Sequence, residues 1–321
     1  MKKFMKGCAI TALVMCVLGI ILASLASSIK GRTAINEVVE KVTDGRVHVN
    51  LTGWGDWGIT VGEQMKDAID NVSYEIGDSI SFDKNHEILK GNIEKYSLGS
   101  SVDSLDIEVG GCTFETVPSG DDSFYIEAKK AGKFQAYVED NVLYVVETAS
   151  SRNLNGIGDC KITLYVPEGC SFAAADIELG AGTLEFDELN ASKAELSVGA
   201  GQIIVNGIKA VELDASIGMG QMHLMDICVE NLDAEVGMGE LIANGSIGST
   251  AVIECSMGNV EMKIDGSQKD FNYEIEGAMG NIDIGKDSYS GFSQSKTVDN
   301  SAEKRIEVSG SMGNISLMFT E

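Results

Sequence analysis

One short phrase recurs between residues 175 and 319 of this chain: a glycine or another small residue, then alanine or methionine, then glycine. The first five copies are evenly spaced, and the last two steps are longer. A fixed period of this kind is typical of a solenoid, in which each coil buries its apolar side only against its neighbours. The last glycines of the seven copies are Gly182, Gly201, Gly220, Gly239, Gly258, Gly280 and Gly313.

Polar and apolar side chains alternate around each of these glycines. The second residue after the glycine is always apolar, and the first is polar. Because side chains of a strand point alternately to opposite faces, each coil is predicted to consist of two strands that meet at a glycine corner. A glycine is expected there because a sharp bend needs positive φ or close approach of stacked backbones. The sequence therefore predicts an all-β fold, a β-solenoid with about 19 residues per regular coil.

Alternation of the same kind precedes the repeats, and turn residues separate its segments. The pattern predicts an antiparallel strand meander. Such a meander would cap the first coil, because a terminal coil otherwise exposes an unpaired apolar edge. The segments are Leu105–Val109, Phe124–Ala128, Phe134–Val138, Val142–Val146 and Ile162–Val166.

The N-terminus carries an apolar run that is long enough to cross a membrane. Cys8–Ile29 contains no charged residue and follows Lys2, Lys3 and Lys6. We interpret residues 1–30 as a cytoplasmic N-terminus and a single transmembrane helix, with the bulk of the chain outside the cytoplasm. The alternative is a signal peptide that is cleaved near Ala26, which would release the protein by secretion.

Residues 31–100 are predicted to form a stalk helix and a linker, and residues 101–321 the β domain. A glycine-rich stretch in the linker contains both tryptophans, Trp54 and Trp57. These two rings are candidate membrane-proximal aromatic residues, and the alternative is that they pack in a local loop cluster.

The repeats contain one long insertion, residues 286–305. It makes the step from Gly280 to Gly313 much longer than the step between regular copies. Insertions in solenoids form loops on one face, so we expect a surface loop here. Tyr289 and Phe292 make it a candidate interaction loop.

The charge and the cysteines restrict the function classes. The net charge of −25 would repel phosphates, so nucleic acid is not an expected partner. Seven cysteines at irregular spacings suit neither a disulfide framework nor a paired zinc motif. We expect buried free thiols, and a bond between Cys160 and Cys170 is the only pairing that we consider.

No catalytic, cofactor or metal site is predicted. His48, His86 and His223 occur in unrelated contexts, so no base has a partner to orient it. The methionines of the repeated phrase could bind a soft metal, but flexible apolar packing is the favoured interpretation. The turns lack the carboxylates that calcium needs. An enzyme acting on acidic polysaccharides is a minor alternative, because one outward column contains Glu178, Glu235, Glu254 and Glu276.

Two stretches resemble a known family. These are Ile162-Thr163-Leu164-Tyr165-Val166-Pro167 and coils of the type Ile177-Glu178-Leu179-Gly180-Ala181-Gly182. With the N-terminal membrane helix, they resemble the DUF4097 family of adhesin-like, toastrack-type repeat proteins, found mostly in Firmicutes. The resemblance covers residues 105–319 and implies a single-handed β-solenoid on the outer cell surface. It brings no catalytic residues, and the methionine column departs from the Ser and Asp turns of many members.

The sequence thus favours a membrane-anchored, extracytoplasmic and non-catalytic interaction module. Its expected contact surfaces are the polar strand faces and the 286–305 insertion. The expected partner is a surface glycan or a protein, and self-association is possible. The alternative is an accessory component of cell-envelope-stress signalling, which would act through the Cys8–Ile29 helix.

Overall fold

The computed structural model describes residues 82–148, 160–290 and 294–321. Over these ranges the chain is all-β, with one 3₁₀ turn at Gln268–Asp270 and no α-helix. Its strands form one continuous hydrogen-bonded sheet. They are β1 (Leu89–Gly99), β2 (Ser104–Pro118), β3 (Phe124–Glu139), β4 (Val142–Thr148), β5 (Lys161–Val166), β6 (Phe172–Phe186), β7 (Leu189–Val198), β8 (Gln202–Val205), β9 (Ile208–Ile217), β10 (Gln221–Val236), β11 (Glu240–Cys255), β12 (Asn259–Ile264), β13 (Phe271–Gly277), β14 (Asn281–Ile284), β15 (Asp287–Ser290), β16 (Gln294–Val298), β17 (Lys304–Gly310) and β18 (Asn314–Phe319).

The regular repeats form stacked coils whose strands pair in parallel. β6 pairs with β7 and β8, and these pair with β9 and the start of β10. Along one row Leu184, Ile203, Met222, Leu241 and Val260 lie opposite one another, each one regular period from the next. All five side chains are fully buried. The inward row predicted from alternation is therefore one continuous apolar stack.

The order of the coils departs from chain order at the C-terminal end. β17 pairs in parallel with the end of β11 on one side and with β13 on the other. β18 likewise pairs with β12 and with β14. The last coil of the chain, residues 304–319, therefore lies between two earlier coils. The two longer steps between glycines, from Gly258 to Gly280 and from Gly280 to Gly313, therefore have a structural reason. In the first the chain skips one coil position, and in the second it returns to fill that position.

The insertion between the last two coils is folded differently from the predicted surface loop. β15 pairs antiparallel with β14, and β16 pairs antiparallel with β13. Tyr289 lies opposite Ile282 and packs, half-buried, against the core. The insertion thus covers the outer side of the coil 271–284 with two antiparallel strands.

The N-terminal end also contains a coil that the sequence interpretation placed in an antiparallel meander. β2 pairs in parallel with β4 and β5 on one side and with β6 on the other. Only β3 and β1 run antiparallel here: β3 pairs with β4 and β5, and β1 pairs with β3. The meander prediction was therefore wrong for β2. A stacked ring pair, Phe114 and Phe186 at 6.2 Å, joins β2 to β6 inside the core.

β1 is the outermost strand at this end, and it begins within the segment predicted as a linker. Its side chains are half-buried or exposed along its whole length. Lys90, Glu94 and Lys95 lie on this edge, and charged residues discourage pairing with another chain.

Several predictions concern residues outside the described ranges. They are the transmembrane helix Cys8–Ile29, the stalk helix, the loop with Trp54 and Trp57, and His48. Within the described ranges the structure has no helix with the length and apolar character that a membrane crossing requires.

Candidate functional site

The parallel stacking places carboxylates of successive coils beside one another on one outer surface. Asp106 lies opposite Asp176, which lies opposite Glu195. Two residues further along the strands, Glu108 lies opposite Glu178. Strand alternation puts both rows on the same side. We call this surface the acidic face, and it consists of Asp106, Glu108, Asp176, Glu178, Glu195, Asp214, Asp233, Glu235 and Glu254.

The carboxylates of the acidic face oppose one another's ionisation. Burial raises the pKa of Glu108 to about 7, and repulsion from Asp106, Glu178 and Asp176 adds to the effect. Asp176 Oδ1 is buried and accepts no hydrogen bond within the described ranges. The pKa values of five further members are also raised, mainly by partial burial and to a smaller extent by repulsion from neighbouring carboxylates. These members are Asp176, Glu178, Glu195, Asp233 and Glu235.

Few cations in the described part of the chain compensate this surface. Lys193 Nζ lies 3.2 Å from Asp214 Oδ2. Further along the stack, Arg305 contacts Glu274 and Glu307. These side chains are close to half exposed, and exposed pairs of this kind contribute about 0–1 kcal/mol each. Lysine and arginine side chains of the described residues therefore neutralise little of the acidic face.

A second outer row, on the other side of the corners, is neutral for much of its length. Gln202 Nε2 donates to Gln221 Oε1 at 3.3 Å, and Gln221 Nε2 donates to Glu240 Oε2 at 3.2 Å. Asn259 Nδ2 continues the chain of bonds to Glu240 Oε1 at 3.2 Å. These side chains hydrogen-bond one another along the stack, whereas ionised carboxylates of the acidic face have no donor to offer one another.

The outward glutamates considered for catalysis lie in the row that was expected for them. Glu235, Glu254 and Glu276 are exposed, and Glu178 is half-buried. The two described histidines do not join them. His223 lies at the start of β10, where this strand pairs with β8, whereas Glu235 lies near its end, where it pairs with β9, and His86 precedes β1. Among the described residues this row has no imidazole beside it that could act as a base.

The candidate interaction residues of the insertion are only partly described. Tyr289 is half-buried, and Lys296 Nζ lies 4.8 Å from the centre of its ring. The side chain of Phe292 is outside the described residues. Its role in an interaction stays a prediction.

Sequence reasoning missed an eighth corner, Gly110-Gly111-Cys112, which lies beside Gly180-Ala181-Gly182 in the sheet. In the regular coils, corner amides donate to carbonyls of the neighbouring coil, as Gly199 N does to Leu179 O at 2.8 Å. At this corner Gly111 N instead donates to Glu147 Oε2 at 3.0 Å. The Glu147 side chain is buried, which raises its pKa. The similarity of Leu105–Gly111 to Ala175–Ala181 was the available signal.

The neighbour of Cys160 differs from the one that the sequence suggested. Cys160 lies next to Cys112, and the two thiols share a hydrogen bond. The described cysteines are all free, so the Cys160–Cys170 bond that we considered is not formed. Cys112, Cys160 and Cys255 are buried, as expected of small apolar residues.

The fold and this surface define an all-β repeat protein with stacked coils and one charged side. The profile of the Toastrack DUF4097 family matches residues 158–318, half of the chain. The chain belongs to this family. Among curated proteins no match is found.

Solved structures give remote likenesses. A candidate adhesin of Bacteroides fragilis is 14% identical, with 71% of this chain and 97% of that chain covered and a TM-score of 0.36. A candidate lipid-binding protein of Parabacteroides distasonis is 16% identical, with coverage of 75% and 99% and a TM-score of 0.40. A candidate cell adhesion protein of Clostridium sporogenes is 14% identical, with coverage of 73% and 99% and a TM-score of 0.28.

Proposed function

We propose that this protein is a membrane-anchored, extracytoplasmic β-solenoid that acts as a non-catalytic interaction module. Its acidic face is the contact surface, and the partner carries positive charge. The observation behind this proposal is the row of carboxylates that continues from β2 across β6, β7, β9 and β10, beside a second row that Ser197 and Ser216 interrupt.

The raised pKa values explain why such a surface favours a cationic partner. The carboxylates with raised pKa values lose hydration, and most of them also face like charges, so their ionised forms are less stable than in water. A bound cation offsets this repulsion, and the binding free energy includes the relief. The net charge of −25 also speeds the approach of a basic partner.

The regularity of the surface supports a binding role over a catalytic one. A catalytic site needs groups with different roles at one point, such as a base and a residue that orients it. The acidic face instead repeats one chemical group along the stack. Repeated rows of this kind suit an extended partner, for example a basic protein segment or an amine-bearing surface glycan.

The extracytoplasmic, membrane-anchored location of the module is part of the same proposal. The uncharged run Cys8–Ile29 after three lysines supports a membrane anchor with a cytoplasmic N-terminus. If the run is instead a cleaved signal peptide, the module is secreted and the acidic face serves the same purpose in solution.

Binding by the full chain in detergent tests this proposal, with immobilised oligolysine and an amine-bearing glycan as probes. Oligoglutamate and a neutral glycan are the negative controls. The triple variant Glu108→Gln, Glu178→Gln and Glu235→Gln should bind about tenfold more weakly. Three ion pairs at about 0.5 kcal/mol each amount to about 1.5 kcal/mol, and a tenfold change in Kd is about 1.4 kcal/mol.

A matched triple variant separates the acidic face from net charge. Glu185, Glu240 and Glu261 follow the corner glycines of their coils, outside the acidic face, and changing them to Gln also removes three charges. This control should bind nearly as well as the wild type. Equal losses in both triple variants, or no binding of either cationic probe by the wild type, would overturn the proposal.

A further inference from the structure

The segment that leads into β1 is fixed to the outer side of β3 by one buried amide. Gln135 on β3 is fully buried. Its Oε1 accepts from Asp83 N at 2.8 Å, and its Nε2 donates to Asp83 O at 2.7 Å and to His86 O at 2.9 Å. A buried amide with these bonds holds its partners strongly, because breaking them leaves polar groups unpaired. The backbone of residues 83–86 is thus positioned against β3.

The His86 ring is held in one orientation. It stacks on Tyr137 with ring centres 3.6 Å apart and planes 7° apart, and Tyr137 stacks in turn on Tyr144 at 5.0 Å. His86 Nδ1 is buried and has no hydrogen-bond partner among the described residues. It faces Asp83 Oδ1 at 3.6 Å, which is too long for a good hydrogen bond.

Two carboxylates lie close to the His86 ring. Asp83 Oδ1 accepts from Asn85 N at 2.6 Å, a bond that orients the carboxylate and leaves it further lone pairs. Glu139 at the end of β3 contributes the third group. One ligand atom from each of Asp83, His86 and Glu139 lies within 4.8 Å of the other two.

We propose that Asp83, His86 and Glu139 bind a divalent transition-metal ion, with Zn²⁺ as the best match. Zn²⁺ accepts imidazole and carboxylate ligands at about 2.0–2.2 Å, so two tetrahedral ligand atoms lie about 3.3 Å apart. The His86–Asp83 distance of 3.6 Å is close to this value. Glu139 is exposed, and the proposed site requires a change of its side-chain rotamer to bring its carboxylate to the metal.

The donor set also selects among cations. Ca²⁺ and Mg²⁺ prefer oxygen ligands alone, whereas an imidazole nitrogen favours Zn²⁺ and its neighbours in the transition series. The neutral imidazole would carry its proton on Nε2 and present Nδ1 to the metal. Three protein ligands leave one position for water.

The metal would connect two parts of the chain that only the fold brings together. His86 precedes β1 and Glu139 ends β3, a separation that no short sequence motif reveals. Bound Zn²⁺ joins the lead-in segment 82–88 to the end of β3, at the edge of the antiparallel layer. Binding therefore stabilises the end of the stack that contains β1 and β3.

Calorimetric titration of the metal-free full chain with ZnCl₂ tests this inference. We expect one Zn²⁺ per chain at this site. Asp83→Asn, His86→Phe and Glu139→Gln should each weaken binding by about tenfold or more, since even residues that only orient metal ligands change affinity by about 10–100-fold. His86→Phe keeps an aromatic ring on Tyr137, and unchanged circular dichroism shows that each variant folds.

The control is Asp140→Asn, which removes the same charge as Glu139→Gln at the neighbouring position. Asp140 has φ of 49°, which asparagine tolerates well. This variant should bind Zn²⁺ like the wild type, and Co²⁺ in the wild type should give the absorption of a tetrahedral site. The inference is overturned by absence of Zn²⁺ binding, by an equal loss in Asp140→Asn, by unchanged binding in all three ligand variants, or by Ca²⁺ that competes equally.

Discussion

Among single residues, the corner glycines show most clearly how the sequence determines the stack. Of the seven, only Gly182 has positive φ, at 94°. The others are required because the coils approach so closely. A Cβ on Gly239 would lie 2.2 Å from Gly220 O and 2.5 Å from Ile217 Cγ2. Close approach of stacked backbones, one of the two reasons given from sequence, therefore applies to most corners.

Gly239→Ala tests this contact. The added methyl group must push two coils apart, so the free energy of unfolding should fall by about 3 kcal/mol. Gly207→Ala is the control, because its Cβ would meet nothing closer than Asp187 O at 3.6 Å. That change should be neutral or slightly stabilising. Equal destabilisation of the two variants in urea unfolding would contradict the account.

The thiols provide a second prediction at this scale. Cys228 is exposed, whereas Cys112 and Cys255 are buried, and burial helps to raise the pKa of both buried thiols. Iodoacetamide at neutral pH should therefore modify Cys228 first and the other two only after unfolding. Peptide mass spectrometry reads each site separately. Rapid modification of Cys112 in the folded protein would show that the corner of β2 is open.

At the scale of elements, the strands determine both the acidic face and its response to pH. β2, β6, β7, β9 and β10 each contribute carboxylates to adjacent positions. The folded state raises the pKa values of the carboxylates on β2, β6, β7 and β10. Between its unfolded and its folded pKa, each of these groups holds more protons in the folded state than in the unfolded chain. Stability must therefore fall as pH rises through that interval.

For Glu108 the interval extends from its ordinary pKa of 4.5 to about 7. The group is roughly half exposed, so after allowance for solvent screening we expect it to contribute about 1 kcal/mol to this loss. Glu108→Gln should remove that part of the pH dependence. The measurement is urea unfolding at pH 4.5 and pH 7.5, in wild type and variant. Identical pH dependence in the two proteins would contradict the electrostatic account of this face.

The antiparallel elements at the two ends show what sequence can and cannot predict. Alternation identified strand residues around Phe124, Phe134 and Val142, although the first two segments form one strand, β3. The even spacing of the glycine phrase identified the regular coils. For strands outside the regular repeats, the sequence did not reveal whether pairing is parallel or antiparallel. A strand with alternating residues fits a parallel or an antiparallel neighbour equally well. The position of β2 was accessible in principle through its similarity to β6.

The candidate site was predictable to a similar extent. The outward carboxylates of the repeats follow from alternation, and their row was anticipated. Asp106 and Glu108 join them only because β2 pairs with β6, a contact between strands that are distant in the sequence. The approach of Glu139 to His86 depends in the same way on long-range pairing, which is decided by tertiary packing.

At the scale of the whole molecule, both ends follow one plan. At one end β2 pairs in parallel with β4 and β5, which form the outer coil. At the other end β17 and β18 pair in parallel with β13 and β14, which form the outer coil there. The antiparallel strands β3, β1, β15 and β16 lie outside these coils. The apolar edge of the stack is thereby covered without a separate capping domain.

The account depends on the order of the coils, because corner packing and the charged rows both follow from it. Ser309 lies opposite Glu254 on one side and Glu276 on the other. Adjacent strands are about 4.8 Å apart, which a disulfide can span, and next-nearest strands are about twice as far apart, which it cannot.

Cysteine pairs introduced at these three exposed positions test the order directly. Under mild oxidation, Glu254→Cys with Ser309→Cys and Ser309→Cys with Glu276→Cys should each form a disulfide that peptide mass spectrometry detects. Glu254→Cys with Glu276→Cys should form none. A disulfide between positions 254 and 276, with none to position 309, would place the coils in chain order and contradict the structure described.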